Sequence, residues 1–121
     1  MYKSIIFAAA MSLLIACSTT KPKTQSQQQS NSGISQADVD RGALVFPDLS
    51  IQQLDGGKVI YEQYCGSCHG LKRPASESEK GWRHHVPEMV QLTNEKANRE
   101  EIDAAEQDLI LRYLITMSSK K

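Results

Sequence analysis

The residues with the most chemistry in this chain are Cys65, Cys68 and His69, in the run YEQYCGSCHG at residues 61–70. Two thiols with two residues between them, and an imidazole directly after the second, admit three chemistries. They can form a redox dithiol, half of a zinc site, or the point where a haem is joined to the chain. A zinc site takes about four ligands, usually from two such pairs or from a cysteine pair and a histidine pair. The chain has one such cysteine pair. His84 and His85 are adjacent, and neighbours on a helix are expected to point in different directions, so they do not supply a second pair. A thioredoxin-type dithiol belongs to a βαβ setting, and no strand pattern flanks this motif. Haem attachment remains: the two thiols add to the vinyl groups, the spacer separates the sulfurs, and the histidine lies against the iron.

The elements that must position these residues read as helices. In SIQQLDGGKVIYEQYC, Val59, Ile60 and Tyr64 suit one face of a short helix, and Asp55 is the expected N-cap. Ser and Glu residues in SESEKGWRHHVPEMVQL suit a helix start. Trp82, Val86 and Met89 then share a face, with a kink or restart expected at Pro87. In TNEKANREEIDAAEQDLILRYLITM, Thr93 or Asn94 is the expected cap. Ile102, Ala105, Leu109, Tyr113 or Leu114, and Met117 form its apolar stripe, with acidic residues early as the helix dipole favours. Residues 37–50 read as irregular, or as a short helix and turn. No internal repeat is visible. The pattern predicts an all-α domain of about three helices.

The chain has 121 residues, of which 40% are hydrophobic and 6% aromatic, so it holds one domain with a thin core of its own. Small domains of this kind often need a staple or a cofactor. Fourteen Lys and Arg balance fourteen Asp and Glu, which gives no reason to expect nucleic acid or an anionic lipid surface as partner.

The N-terminal run MYKSIIFAAAMSLLIAC has one Lys followed by apolar and small residues. It is too short for a stable membrane span and has the layout of an export signal. LIAC, residues 14–17, resembles the lipobox of bacterial lipoproteins. That resemblance implies cleavage before Cys17 and lipidation of its sulfur, and several acyl chains anchor far more firmly than one. Ser18 rather than Asp follows, so no inner-membrane retention cue is present. STTKPKTQSQQQSNSGISQ has almost nothing apolar and reads as a flexible tether with a span on the order of 25 Å. The expected organisation is a signal peptide at 1–16, a lipidated tether at 17–37 and the domain at 38–121. Cys65 and Cys68 are then the remaining thiols, and haem maturation outside the bacterial cytoplasm agrees with export.

GGKVIYEQYCGSCHG resembles the haem-binding opening of small monohaem class I cytochromes c, and the likeness extends over about residues 56–116. It implies an all-α cytochrome c-like domain packed around one covalently bound haem c, with first and last helices in contact. Carried over by position, Cys65 and Cys68 form the thioethers and His69 is the proximal iron ligand. The Pro74 carbonyl is a candidate partner for His69, or Pro74 is simply a turn residue. For the sixth ligand Met89 is the first choice, with His84, His85 and Met117 as the others. Lys72, Arg73, Lys80 and Arg83 could steer a redox partner or be ordinary solvated charge. The resemblance implies a monomeric electron carrier rather than an enzyme, meeting unidentified donor and acceptor proteins. Its expected place is the periplasmic side of a membrane, the outer membrane being favoured. The alternatives are a haem subunit of a larger respiratory or dehydrogenase complex, and a haem-based sensor with an open sixth position.

Overall fold

The structure is a computed structural model that describes residues 33–67, 69–96 and 101–119. The signal and most of the tether, with Cys17, lie outside the described residues, as does Cys68. All the regular elements described are helical. Four α-helices stand where about three are expected: α1 (Gln36–Gly42), α2 (Ile51–Ile60), α3 (Glu79–Lys96) and α4 (Ala104–Ser118). A π-helical turn, Tyr61–Cys65, continues α2 directly, and a short 3-10 turn, Pro74–Ser76, precedes α3. No helix among the described residues is long and apolar enough to cross a membrane.

The additional helix is α1, the short-helix option for residues 37–50. Packed chain begins ahead of residue 38: Ile34 is buried in the core, and Ser35 N and Oγ both donate to Asp38 Oδ2 at 2.9 and 2.8 Å. Asp38 is itself buried and takes an ion pair from Arg41 at 2.6 Å. Arg41 also donates to Ser119 Oγ at 3.1 Å, which fastens α1 to the C-terminal end of α4.

The cap of α2 is Ser50, five residues ahead of the expected Asp55. Ser50 Oγ accepts from Gln53 N at 3.2 Å, while Gln53 Oε1 accepts from Ser50 N at 2.9 Å. This reciprocal box satisfies two donors at once, and Asp55 falls inside the helix. The buried face also differs from the expected one. Leu54, Gly57, Tyr61 and Tyr64 point inward, whereas Val59 is 58% exposed.

Gly57 explains how α2 and α4 pack. A Cβ there would overlap the Leu109 carbonyl and press on Tyr113, so the two backbones meet at that point. At Gly56 a Cβ would sit 3.7 Å from Leu109 Cδ1, an ordinary contact. The two neighbouring glycines therefore respond oppositely to alanine. Gly56→Ala is expected to stabilise by up to about 1 kcal/mol, because alanine is the better helix former. Gly57→Ala is expected to cost about 1–3 kcal/mol, the range for overpacking a close contact. Chemical denaturation of the two variants tests this, and equal effects would contradict the close approach.

The start of α4 is capped by Asp103, not by Thr93 or Asn94. Asp103 Oδ1 accepts from Glu106 N at 2.8 Å, and Glu106 Oε2 accepts from Asp103 N at 3.1 Å. Thr93 and Asn94 belong to α3, where the Asn94 amide brackets Ile102. Its Nδ2 donates to Ile102 O at 3.0 Å and its Oδ1 accepts from Ile102 N at 2.9 Å. The deeply buried residues of α4 are Ile110, Tyr113, Leu114, Ile115 and Thr116. Ala105 is exposed, and Leu109 and Met117 are half-buried. Helix α3 runs through Pro87 without a restart. Pro87 and Arg83, four residues earlier, both lie on the exposed face. The carbonyl that loses its donor there can reach water.

Candidate functional site

Between the π-helical turn, α3 and α4 lies a cavity of about 270 Å³. Its lining includes Cys65 and His69 from the motif, Met89 and His85 from α3, and a largely apolar floor of Trp82, Val86, Val90, Ile110 and Leu114. It opens past Met89 and Leu92, which are 39% and 42% exposed, and Lys72 and Lys96 stand on its lining. The volume falls just below the range for small-molecule sites, about 300–1,000 Å³.

Several groups on this wall have a local cause for their position. The π-helical turn opens the helical register by one residue, and Cys65 is its last member. Ser67 Oγ donates to Tyr64 O at 2.8 Å, closing the turn that follows. The chain after the motif is then pinned twice. Tyr61 donates its hydroxyl to the Lys72 carbonyl at 2.7 Å, and Trp82 Nε1 donates to the Pro74 carbonyl at 2.9 Å. The rings of Tyr61 and Trp82 meet edge to face, 6.4 Å between centroids. Burial pushes the Tyr61 phenol up to about 12, so it keeps its proton and its role as donor. Burial raises Tyr113 as well. Ser78 Oγ accepts from Gly81 N at 3.1 Å and starts α3, as the Ser-rich run leads one to expect.

The Pro74 carbonyl thus serves Trp82 and not His69. His69 is exposed, and its Nδ1 lies 2.8 Å from the Gly70 carbonyl oxygen. A carbonyl oxygen only accepts, so in that contact Nδ1 carries the hydrogen, which leaves Nε2 as the nitrogen free to face a ligand. Gly70 supplies the orienting partner that Pro74 was a candidate for.

Among the methionines, Met89 reaches the cavity and Met117 does not line it. Met117 packs against the core cluster. The expected face of Trp82, Val86 and Met89 is divided: Trp82, Val86 and Val90 are buried, and Met89 stands at the cavity's open edge. His85 also lines the cavity, whereas His84 does not. The two rings do not point apart as adjacent helix positions suggest, since their centroids are 5.2 Å apart. The basic residues after the motif are partly neutralised: Lys72 pairs with Glu77 at 3.6 Å, and Arg83 with Glu79 at 2.8 Å. That pairing weakens the case for a steering field.

Sequence reasoning missed the roles of Tyr61 and Lys72 in this site. Tyr61 carried a signal, being a large amphipathic side chain one helical turn from Cys65. Lys72 acts through its backbone carbonyl, which no side-chain pattern reveals. Compared with protein-family models, curated proteins and solved structures, the chain matches none of them.

Proposed function

We propose that this chain holds one covalent c-type haem in the cavity and serves as a one-electron carrier, tethered by lipid on Cys17 to the periplasmic side of a bacterial membrane. The observation that carries the reading is the meeting of a thiol, an imidazole and a thioether, Cys65, His69 and Met89, on one apolar cavity. These donor types are the ones c-type haem uses, and the apolar floor suits a flat hydrophobic ring. When bound, the haem supplies an iron that takes up and releases single electrons. The chain does the rest. Cys65 and Cys68 tether the group, and His69 offers Nε2 while Gly70 fixes its ring. Met89 offers sulfur from α3. The packed floor excludes water, and Lys96 brings positive charge to the lining, suited to a haem carboxylate. Tyr61 and Trp82 hold the segment that follows the motif through two part-buried hydrogen bonds, to the Lys72 and Pro74 carbonyls.

A second reading, a haem subunit docked in a larger complex, is favoured by Leu44 and Val45. These adjacent apolar residues are 87% and 42% exposed beyond α1. The test is to produce the full chain in a bacterium that matures c-type haem. Haem should stay with the polypeptide on a denaturing gel, and the protein should fractionate with membranes. Cys17→Ser should move it to the soluble fraction with an unchanged visible spectrum. A polypeptide that sheds its haem on denaturation would refute covalent attachment. A Cys17→Ser protein still on the membrane in high salt would point instead to a tightly held partner complex or an uncleaved signal.

A further inference from the structure

We infer that His84, His85 and Glu88, on the outer face of α3, form a binding site for a divalent transition-metal ion of the zinc and copper group. His84 Nε2 lies 3.8 Å from Glu88 Oε1, and His85 Nδ1 lies 3.7 Å from Glu88 Oε2. One ligand atom from each of the three residues lies within 4.8 Å of the other two. Ligands about 2.1 Å from a tetrahedral ion are roughly 3.4 Å apart. The separations between the three groups, up to 4.8 Å, therefore need to close by up to about 1.4 Å. Their side chains are 70%, 39% and 54% exposed, so small rotations suffice.

A second feature points the same way. His85 Nε2, the ring nitrogen turned away from Glu88, lies 3.9 Å from Glu77 Oε1. A metal-bound histidine usually gives its other ring N–H to a carboxylate, which fixes the ring and raises the basicity of the ligating nitrogen. Glu77 is placed for that part, and Lys72 at 3.6 Å holds Glu77 in turn. Two imidazoles and one carboxylate suit borderline ions such as zinc and copper better than calcium or magnesium, which prefer oxygen alone. Three protein ligands leave a fourth position to water.

The site does not depend on haem. Its test is calorimetric titration of the full-length protein with zinc chloride. One equivalent should bind. Glu77→Gln, which keeps all three ligands, should weaken binding by about tenfold, and His84→Ala should weaken it by about a hundredfold or more. His84 is exposed, and Glu77 is half-buried but lies outside the helices and the apolar core, so the helical spectrum should not change. Zinc binding of equal strength in wild type and His84→Ala overturns the site, as does an absence of binding in the wild type. Binding that survives His84→Ala but disappears when thiols are alkylated puts the ion on Cys65 and Cys68. That outcome overturns this site and the haem reading together. A protein that lacks haem yet loses zinc binding in His84→Ala supports the site while refuting the haem reading.

Discussion

With alanine in place of Met89, the oxidised haem protein is expected to lose the weak sulfur-to-iron charge-transfer band, to fall in reduction potential and to bind carbon monoxide. The thioether favours ferrous iron over ferric, so removing it lowers the potential, within the roughly 0.8 V span that axial ligands command. Met117→Ala should behave in the opposite way. It is half-buried against the core and outside the cavity lining. Its loss should cost about 1–2 kcal/mol and leave the band in place. His85→Ala separates the remaining candidate: a band and potential near those of the parent exclude it as ligand. If the band persists in Met89→Ala and vanishes in Met117→Ala, the ligand assignment is wrong and the carrier reading stands. If the parent protein has no such band and binds carbon monoxide readily, it is a ligand-binding sensor instead.

The second large effect concerns the fold. Cys65→Ala combined with Cys68→Ala should yield a polypeptide without haem that is mostly unfolded, with little helical circular dichroism and no cooperative melting. An unfilled apolar space of about 270 Å³, at about 24 cal/mol per Å³, corresponds to roughly 6 kcal/mol. Water entering at the open edge makes that figure an upper bound, which lies at the lower end of the whole stability of a small domain, about 5–15 kcal/mol. A double variant that purified as a stable helical domain would show that the four helices support one another without the cofactor, and would remove the packing argument for haem.

What was legible in the sequence is what depends on local pattern. The helical character follows from apolar spacing, Trp82 and Val86 do fall on the buried face of α3, and α3 starts at its Ser-rich run. What failed depends on groups distant along the chain. Gly56 and Gly57 look like the mouth of a helix, with Asp55 as its cap. The helix runs straight through them because Gly57 admits the Leu109 carbonyl of α4, a contact more than fifty positions away. Asn94 looks like a cap and is one in effect, but for Ile102 across a loop rather than for its own helix. Pro74 reads as a partner for His69 or as a turn residue, and its carbonyl instead accepts from the Trp82 indole, a tertiary contact that no local pattern marks. Ideal helix geometry makes the neighbours His84 and His85 diverge. Long rotatable side chains and a shared carboxylate at Glu88 bring them back together.

The π-helical turn at Tyr61–Cys65 has a consequence for insertions and deletions. Such a turn amounts to one residue added to an α-helix, and each residue of an α-helix turns the chain by about 100°. Removing one residue from this turn would restore ordinary winding and swing Cys65 about a quarter-turn or more off the cavity, while leaving composition, charge and the CGSCH motif untouched. The reach of the first thiol is therefore set by chain length between Gly57 and Cys65 as much as by the cysteine itself. Among descendants of this chain, substitutions should accumulate there more readily than changes of length.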